Sequence, residues 1–482
     1  MKLSQLLEGV SLSPGNDLPD IAISSVSYDT RTLEPGALFV ALPGYQTDGR
    51  RYISQALERG AAAVLCAGDA PQDGPVLTCR DPRAALAQIA ANWFGHPGRE
   101  LTLLAVTGTS GKTSTACLLQ QMLTECLPGR VELLDCAGVE TPESFQVQQR
   151  LRRMTDNGAK YAVLEVPSQA VALRRVDGLN FVAGILTNLT PEHLDFHGGE
   201  AAYRQAKQTL LDRAALAVLN LDDEAGRQLA PQFSNRLTFS ERRDEADLTA
   251  KNLRLFPDRV EFEAVTVGDI RRVRLPIPGG FSVYNALACL TCGLGLGLPL
   301  ADMAQAMGRA RGVPGRLEPV DVPAEYAVFI DRASTPNALE NILMTLRPLT
   351  QNRLICLFGC QGDRDRSQRQ SMGAAAAELA DAVVLTSDDP RTEPPLDIVS
   401  DIQRGMKDFS TLCAVEPDRR KAIQLALSMA GPGDVVLLAG KGCKTWQEAD
   451  GVRRPWNERE EVERFYTRAV KPIKRIRRDL CK

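Results

Sequence analysis

No run of apolar residues approaches the roughly 18 needed to span a bilayer, and the first ten residues carry one early lysine without the apolar stretch of a signal segment. A membrane span and secretion are therefore not expected, and the cytoplasm is the expected location. A strong charge of one sign is missing as well. The 57 Lys and Arg against 60 Asp and Glu leave a formal net charge of −3, which gives no general attraction to nucleic acid. Histidine is scarce, with three residues. His96 lies in a Gly-His-Pro turn, where a local role is expected, while His193 and His197 fall close together. The twelve cysteines are scattered through a long chain, which fits reduced thiols better than a disulfide framework. Cys289 and Cys292 make a lone CxxC in an apolar helix expected over 284–295. With no second cysteine pair nearby, core packing is the expected role.

What is present is ordinary globular material: 482 residues, 44% hydrophobic and 24% charged, enough for about three domains. Short β-like runs at 37–42 and 62–66 alternate with a helical stretch at 82–93, predicting a small α/β domain over 1–98. An apolar run at 101–107 then feeds into Gly108-Thr-Ser-Gly-Lys-Thr113 and a helix over 114–126. Further β-like runs at 161–166, 182–187, 216–220 and 260–265 predict a doubly wound, mainly parallel nucleotide-binding domain over 99–313. A Gly/Pro cluster at 312–316 reads as a linker. Runs at 326–330, 354–358, 382–385 and 435–438 predict a third α/β domain over 314–482. Its tail, with Lys471, Lys474, Arg475, Arg477, Arg478 and Lys482 against Asp479, reads as a solvated end.

The strand-loop-helix at 101–126 carries the chemistry. Gly108 and Gly111 let backbone N–H groups close around phosphate oxygens, Lys112 can reach terminal phosphates, and the Thr113 hydroxyl can meet Mg²⁺. The first glycine of the long phosphate-loop pattern is replaced by Val106, so the context rather than the string supports the reading. Glu165 ends one predicted strand, and His193, Asp195 and His197 follow another. Ends of parallel strands converge on one crevice, where a carboxylate and an imidazole can hold a second Mg²⁺, although that ion prefers oxygen ligands.

Thr107-Gly-Thr-Ser-Gly-Lys-Thr113, Glu165-Val-Pro-Ser-Gln169, the stretch 187–198, Tyr203-Arg-Gln-Ala-Lys207, Pro314-Gly-Arg-Leu-Glu318 and Phe358-Gly-Cys-Gln-Gly-Asp-Arg-Asp-Arg-Ser367 resemble successive motifs of the Mur ligase family. Their order and spacing are similar to its E-type members across nearly the whole chain. The resemblance implies three α/β domains, with a phosphate-loop ATPase core and a Rossmann-like C-terminal domain. It implies a monomer with small-molecule substrates, in which a carboxylate, in E-type members that of a UDP-N-acetylmuramoyl dipeptide, is activated by ATP as an acyl phosphate and joined to an amino acid. The ATP site would comprise Gly108, Thr109, Ser110, Gly111, Lys112, Thr113, Ser114, Asn285, Arg316 and Asp331. Thr113, Glu165, His193 and Lys207 would hold Mg²⁺. Lys207 would do so as a carbamate made from CO₂, because an ammonium beside magnesium is repelled whereas a carbamate offers anionic oxygen. The acceptor would meet Thr30, Thr141, Pro142, Ser168 and Arg175.

Several selective positions depart from the family pattern. Asn-Thr-Thr-Pro becomes Val139-Glu-Thr-Pro142, Glu-Val-Ser-Ser-His becomes Glu165-Val-Pro-Ser-Gln169, and Asp-Tyr-Ala-His-Thr-Pro-Asp becomes Asp331-Arg-Ala-Ser-Thr-Pro-Asn337. A cell-wall ligase and a paralogue making an amide in specialised metabolism are both compatible with this pattern. A regulatory nucleotide-binding protein is disfavoured, because it would not need Lys112, Glu165, His193 and Lys207 together. For the incoming amine, the resemblance points to Arg364, Asp388, Asp389, Pro390, Arg391, Gly442 and Lys444. Arg391 predicts an anionic group on that amine. Lys444 replaces the glutamate that meets the far ammonium of diaminopimelate, so an amino acid lacking a second ammonium is expected.

Overall fold

In the computed structural model the protein is described at residues 1–14, 19–44, 47–68, 74–134, 142–190, 192, 194–256 and 258–469. Thr141, His193, the Glu140 substitution and the basic tail from Lys471 lie outside the described residues. Two compact units form, one made of Met1–Lys251, Glu263–Val273 and Tyr284–Gly308, the other of Asn252–Phe262, Arg274–Val283 and Arg309–Lys482. No described helix is long and apolar enough to cross a membrane.

The first unit opens with four parallel strands in the order Val26–Ser27, Leu38–Val40, Ala63–Ala67 and Val76–Cys79. The helix Pro82–Trp93 has the bounds expected from the sequence because its start is written locally. Asp81 is extended and its carboxylate accepts from the N–H groups of Arg83 and Ala84, while Pro82 stands where no N–H is needed. Ala85, Leu86 and Ile89 then bury one face against Leu38, Val40, Leu65 and Leu77.

A second sheet of nine strands follows. Six neighbours run in the order Arg236–Ser240, Ala214–Asn220, Phe181–Leu186, Thr102–Thr107, Ala159–Glu165 and Arg130–Leu134, all parallel. Thr102–Thr107 is central, so the loop after it sits between the ends of Glu165 and Leu186. The helix after that loop begins at Lys112, two residues earlier than the sequence pattern indicates. Cys289 and Cys292 are fully buried in the helix Phe281–Gly295, where Cys289 Sγ donates to the Thr115 carbonyl at 3.4 Å.

The second unit holds a six-stranded sheet, ordered Glu318–Val320, Ala327–Asp331, Val435–Ala439, Leu354–Phe358, Ala382–Leu385 and Leu412–Val415, parallel except at its first pair. Leu354, Cys356 and Phe358 face a core shared with helices Pro336–Leu346, Ser367–Leu379 and Pro395–Arg404. Ile355 and Leu357 face the opposite core, with helices Arg419–Met429 and Glu458–Ala469. This two-residue alternation on a strand buried on both faces makes the domain doubly wound.

Within this unit the Arg369 side chain is 1% exposed and grips Glu393 at 2.8 Å, Asp401 at 3.0 Å and the Gln361 carbonyl at 3.3 Å. Hydrogen bonding from Arg369 holds the Glu393 carboxyl at about 2, below its ordinary 4.5. Because the folded value is depressed, this stabilisation is present above the unfolded pKa and fades as pH falls from about 4.5 towards about 2. Glu393→Gln is expected to lower stability by about 3 kcal/mol, since it leaves part of a buried charge unpaired, and to flatten the acid limb of a urea-unfolding series over that range.

Candidate active site

The phosphate loop is shaped by glycine and braced from outside. Gly108 has φ +147° and a Cβ there would lie 1.9 Å from Thr187 Oγ1; Gly111 has φ +82° and its Cβ would lie 2.8 Å from Asn285 Oδ1. Neither position accepts a side chain without backbone movement. Each loop carbonyl is capped by a side chain: Gly108 by Lys207 Nζ at 2.6 Å, Thr109 by Lys112 Nζ at 2.6 Å, and Ser110 by Thr187 Oγ1 at 2.7 Å and Asn188 Nδ2 at 3.1 Å. Asn188 also accepts from Ser110 N–H at 2.9 Å, and its backbone carbonyl from Thr109 N–H at 3.0 Å. Carbonyls held back in this way leave the helix N-terminus beyond Gly111, with Lys112, Thr113 and Ser114 on its first turn, facing anion chemistry.

The expected cation ligands meet in part. Thr113 Oγ1 donates to Glu165 Oε2 at 2.9 Å across the strand ends. This hydroxyl and carboxylate are oxygen donors of the kind Mg²⁺ takes. Asn285, on the helix Phe281–Gly295, accepts from Thr115 Oγ1 at 3.1 Å. Lys207 is 1% exposed and lies 4.7 Å from the centre of the Tyr203 ring. Burial, reinforced by nearby Lys112, pushes its ammonium well below the ordinary lysine range. Tyr203 in turn shares a 2.8 Å hydrogen bond with Thr109 Oγ1, and burial raises its hydroxyl to about 12.

The acceptor-side residues are more dispersed. Thr30 is buried and donates to Gln55 Oε1 at 2.8 Å. Ser168 Oγ is 3.0 Å from His197 Nε2. Arg175 Nη2 lies 3.0 Å from Glu143 Oε1, and Arg83 Nη1 reaches the same oxygen at 3.1 Å. Glu143, directly after Pro142, thus bridges two cations. The sequence reading did not single it out.

In the second unit, Asp331 is buried. Burial raises its carboxyl pKa although the N–H groups of Leu317 and Ala333 donate to it at 2.7 Å each, and Arg316 also favours its anion. Gly315 packs on the neighbouring loop so closely that a Cβ would lie 2.2 Å from Cys443 N, and Gly442 has φ +54°. Arg316 is therefore delivered beside 440–444. Arg364 is exposed and Arg391, at φ +53°, is partly exposed. Asp388, Asp389 and Pro390 are buried. Lys441, fully buried, contacts Asp388 Oδ1 at 3.0 Å and also Asp389.

Lys444, which from sequence stands where a second ammonium would otherwise be met, is itself paired with an acid. Its Nζ donates to Asp389 Oδ2 at 2.6 Å and sits 5.0 Å from the Trp446 ring centre. Burial disfavours the Asp389 anion, but Lys441 and Lys444 outweigh it and hold the carboxyl below its ordinary range. The two acids and two lysines compensate one another. The bracing role of Asn188 and this pairing were both missed from sequence, because each joins loops far apart in the chain.

Comparison with known proteins agrees with this geometry. The Mur ligase family catalytic domain matches residues 22–94, the Mur ligase middle domain 106–293, and the Mur ligase glutamate ligase domain 315–442. The chain is 38% identical over 466 residues to UDP-N-acetylmuramoyl-L-alanyl-D-glutamate–2,6-diaminopimelate ligase of Alkaliphilus metalliredigens, covering 93% of this chain and 94% of that one. It is also 38% identical to the UDP-N-acetylmuramyl-tripeptide synthetase of a Roseiflexus species, covering 96% and 97%. A solved structure of a UDP-N-acetylmuramoyl-L-alanyl-D-glutamate–2,6-diaminopimelate ligase superposes with TM-score 0.69 at 28% identity, over 97% of this chain and 99% of that one. The chain belongs to the Mur ligase family, ATP-dependent enzymes that join an acid to an amino acid with formation of ADP.

Proposed function

We propose that this ligase adds an amino acid to the carboxylate of a UDP-N-acetylmuramoyl dipeptide in peptidoglycan synthesis, through an acyl phosphate. The observation carrying the chemistry is the braced phosphate loop with Thr113 and Glu165 in contact and Lys207 buried beneath it. The names of full-length relatives support the acceptor. In this reading residues 1–98, 99–313 and 314–482 serve acceptor, ATP and amine respectively.

The acceptor carboxylate attacks the γ-phosphorus and ADP leaves. Lys112 exchanges the Thr109 carbonyl for phosphate oxygens and neutralises charge that two anions bring together. Mg²⁺, held by Thr113, Glu165 and a modified Lys207, would supply further charge neutralisation. The neutral amine then attacks the acyl carbon, the tetrahedral intermediate expels phosphate, and an amide remains. The Lys207 carbamate forms when its neutral amine adds CO₂ and releases a proton. Burial of Lys207 supports that reaction by disfavouring the ammonium.

A second reading, a paralogue with another acceptor, is favoured by Glu143. Its carboxylate is paired with both Arg175 and Arg83, so an acceptor anion has to share these cations with it. Screening acceptors by ADP release, each with and without amine, separates the two; turnover without any UDP-muramoyl peptide, and none with it, selects the paralogue.

For the amine, Arg391 supplies an anchor for a carboxylate, whereas Asp388 and Asp389 are engaged by Lys441 and Lys444. No acid of that cluster is left for a second ammonium. L-Glutamate or L-aspartate is expected to outcompete meso-diaminopimelate and L-lysine, and Arg391→Ala to raise the amine KM roughly 10- to 100-fold, the worth of a charged hydrogen bond. Strong preference for either diamino acid sinks this assignment and leaves the ligase intact.

A further inference from the structure

Arg419 is a fully buried cation outside the chemistry described above, and its contacts converge on two loops. It opens the helix Arg419–Met429, whose N–H groups at Arg420 and Lys421 are capped by Asp418. Its side chain is 0% exposed. The guanidinium donates from Nη1 to the Ser387 carbonyl at 3.3 Å and from Nη2 to the Ala439 carbonyl at 2.9 Å. Its Nε and Nη2 also meet the Glu458 carboxylate, at 3.1 Å and 2.5 Å, and Trp456 Nε1 reaches the same carboxylate at 2.7 Å.

Ser387 is the residue before Asp388, and Ala439 is the residue before Gly440. The strands that deliver them, Ala382–Leu385 and Val435–Ala439, are not neighbours, because Leu354–Phe358 lies between them. No ladder hydrogen bond can tie their ends. Five N–H donors spread over a rigid planar fork reach two carbonyls and both oxygens of a carboxylate, four acceptors where an ammonium has three donors on one atom. Beyond Arg419 the loops are joined again, by Lys441 to Asp388 and Asp389 and by Gln447 Nε2 to the Asp388 carbonyl at 2.7 Å.

We propose that Arg419 is a positioning residue for amine recognition, setting the separation of loops 387–391 and 440–444 through the Ser387 and Ala439 carbonyls. The proposal rests on the reading that these loops take the amine. Glu458 holds the fork in orientation, so the last described helix of the chain takes part in substrate selection without touching substrate.

Arg419→Lys keeps a cation against Glu458 but loses the fork. Arg419→Met/Glu458→Gln removes both charges, so that no unpaired ion is buried, and keeps an acceptor for Trp456. Steady-state kinetics on the folded enzymes, with folding checked by calorimetry, should show the amine KM raised roughly 10-fold or more, as small misplacements of binding groups do. The KM values for ATP and acceptor should stay within about twofold of wild type, which a general loss of folded protein would not produce. An unchanged amine KM in either folded variant overturns the proposal. Arg391→Ala measured in parallel tells which statement has failed: if it raises the amine KM while the Arg419 variants do not, the positioning role falls and the amine site stands; if none of them does, both fall.

Discussion

Lys112→Ala is expected to slow ADP-forming amide synthesis roughly 10³-fold or more, the scale of removing a charge partner of a transferring phosphoryl group. Lys112 is the first residue of the helix that follows the loop, and its ammonium rests on a loop carbonyl. Loop shape also depends on Gly108, Gly111, Thr187 and Asn188, so the variant should remain folded and lose transition-state charge rather than architecture. The measurement is coupled ADP release at saturating ATP, with a thermal melt as control. Turnover within about tenfold of wild type would remove Lys112 from phosphoryl transfer.

Lys207→Ala should be nearly inactive for a different reason. The carbamate assignment asks for an oxygen anion in a place the alanine leaves empty, so formate or acetate is expected to restore part of the rate. The wild-type enzyme should depend on bicarbonate, and the rescued variant should not. Sign matters for the pH profile. Because burial and Lys112 depress the ammonium pKa, the neutral amine persists to lower pH than in a free lysine. Carbamate is then lost as pH falls through that depressed value, and the bicarbonate requirement should steepen on the acid side. Full activity of Lys207→Ala in bicarbonate-depleted buffer would end this assignment.

The parts legible from sequence were those whose physics is local. Asp81 and Pro82 announce a helix start, and a helix begins there. Leu354–Phe358 is a five-residue apolar run buried on both faces, and its strand has the bounds expected. Leu412–Val415 and Val452–Pro455 escaped because they are largely exposed and present no clear buried face. At the site, Gly108, Lys112 and Thr113 were readable from their strand-loop-helix setting. Glu143 between Arg83 and Arg175, Arg419 on Glu458, and Asp389 on Lys444 were not, since 32 to 60 residues separate the first set, 39 the second and 55 the third. No periodicity encodes such pairs, and they decide which charges remain available to a ligand.

The capped carbonyls of the phosphate loop also bear on what nucleotide capture costs. A loop in which the Gly108 and Ser110 carbonyls are held by side chains from other segments has little conformational freedom left to surrender. Ordering of the loop should then cost nucleotide binding little, while Lys112 has to leave the Thr109 carbonyl to reach a phosphate.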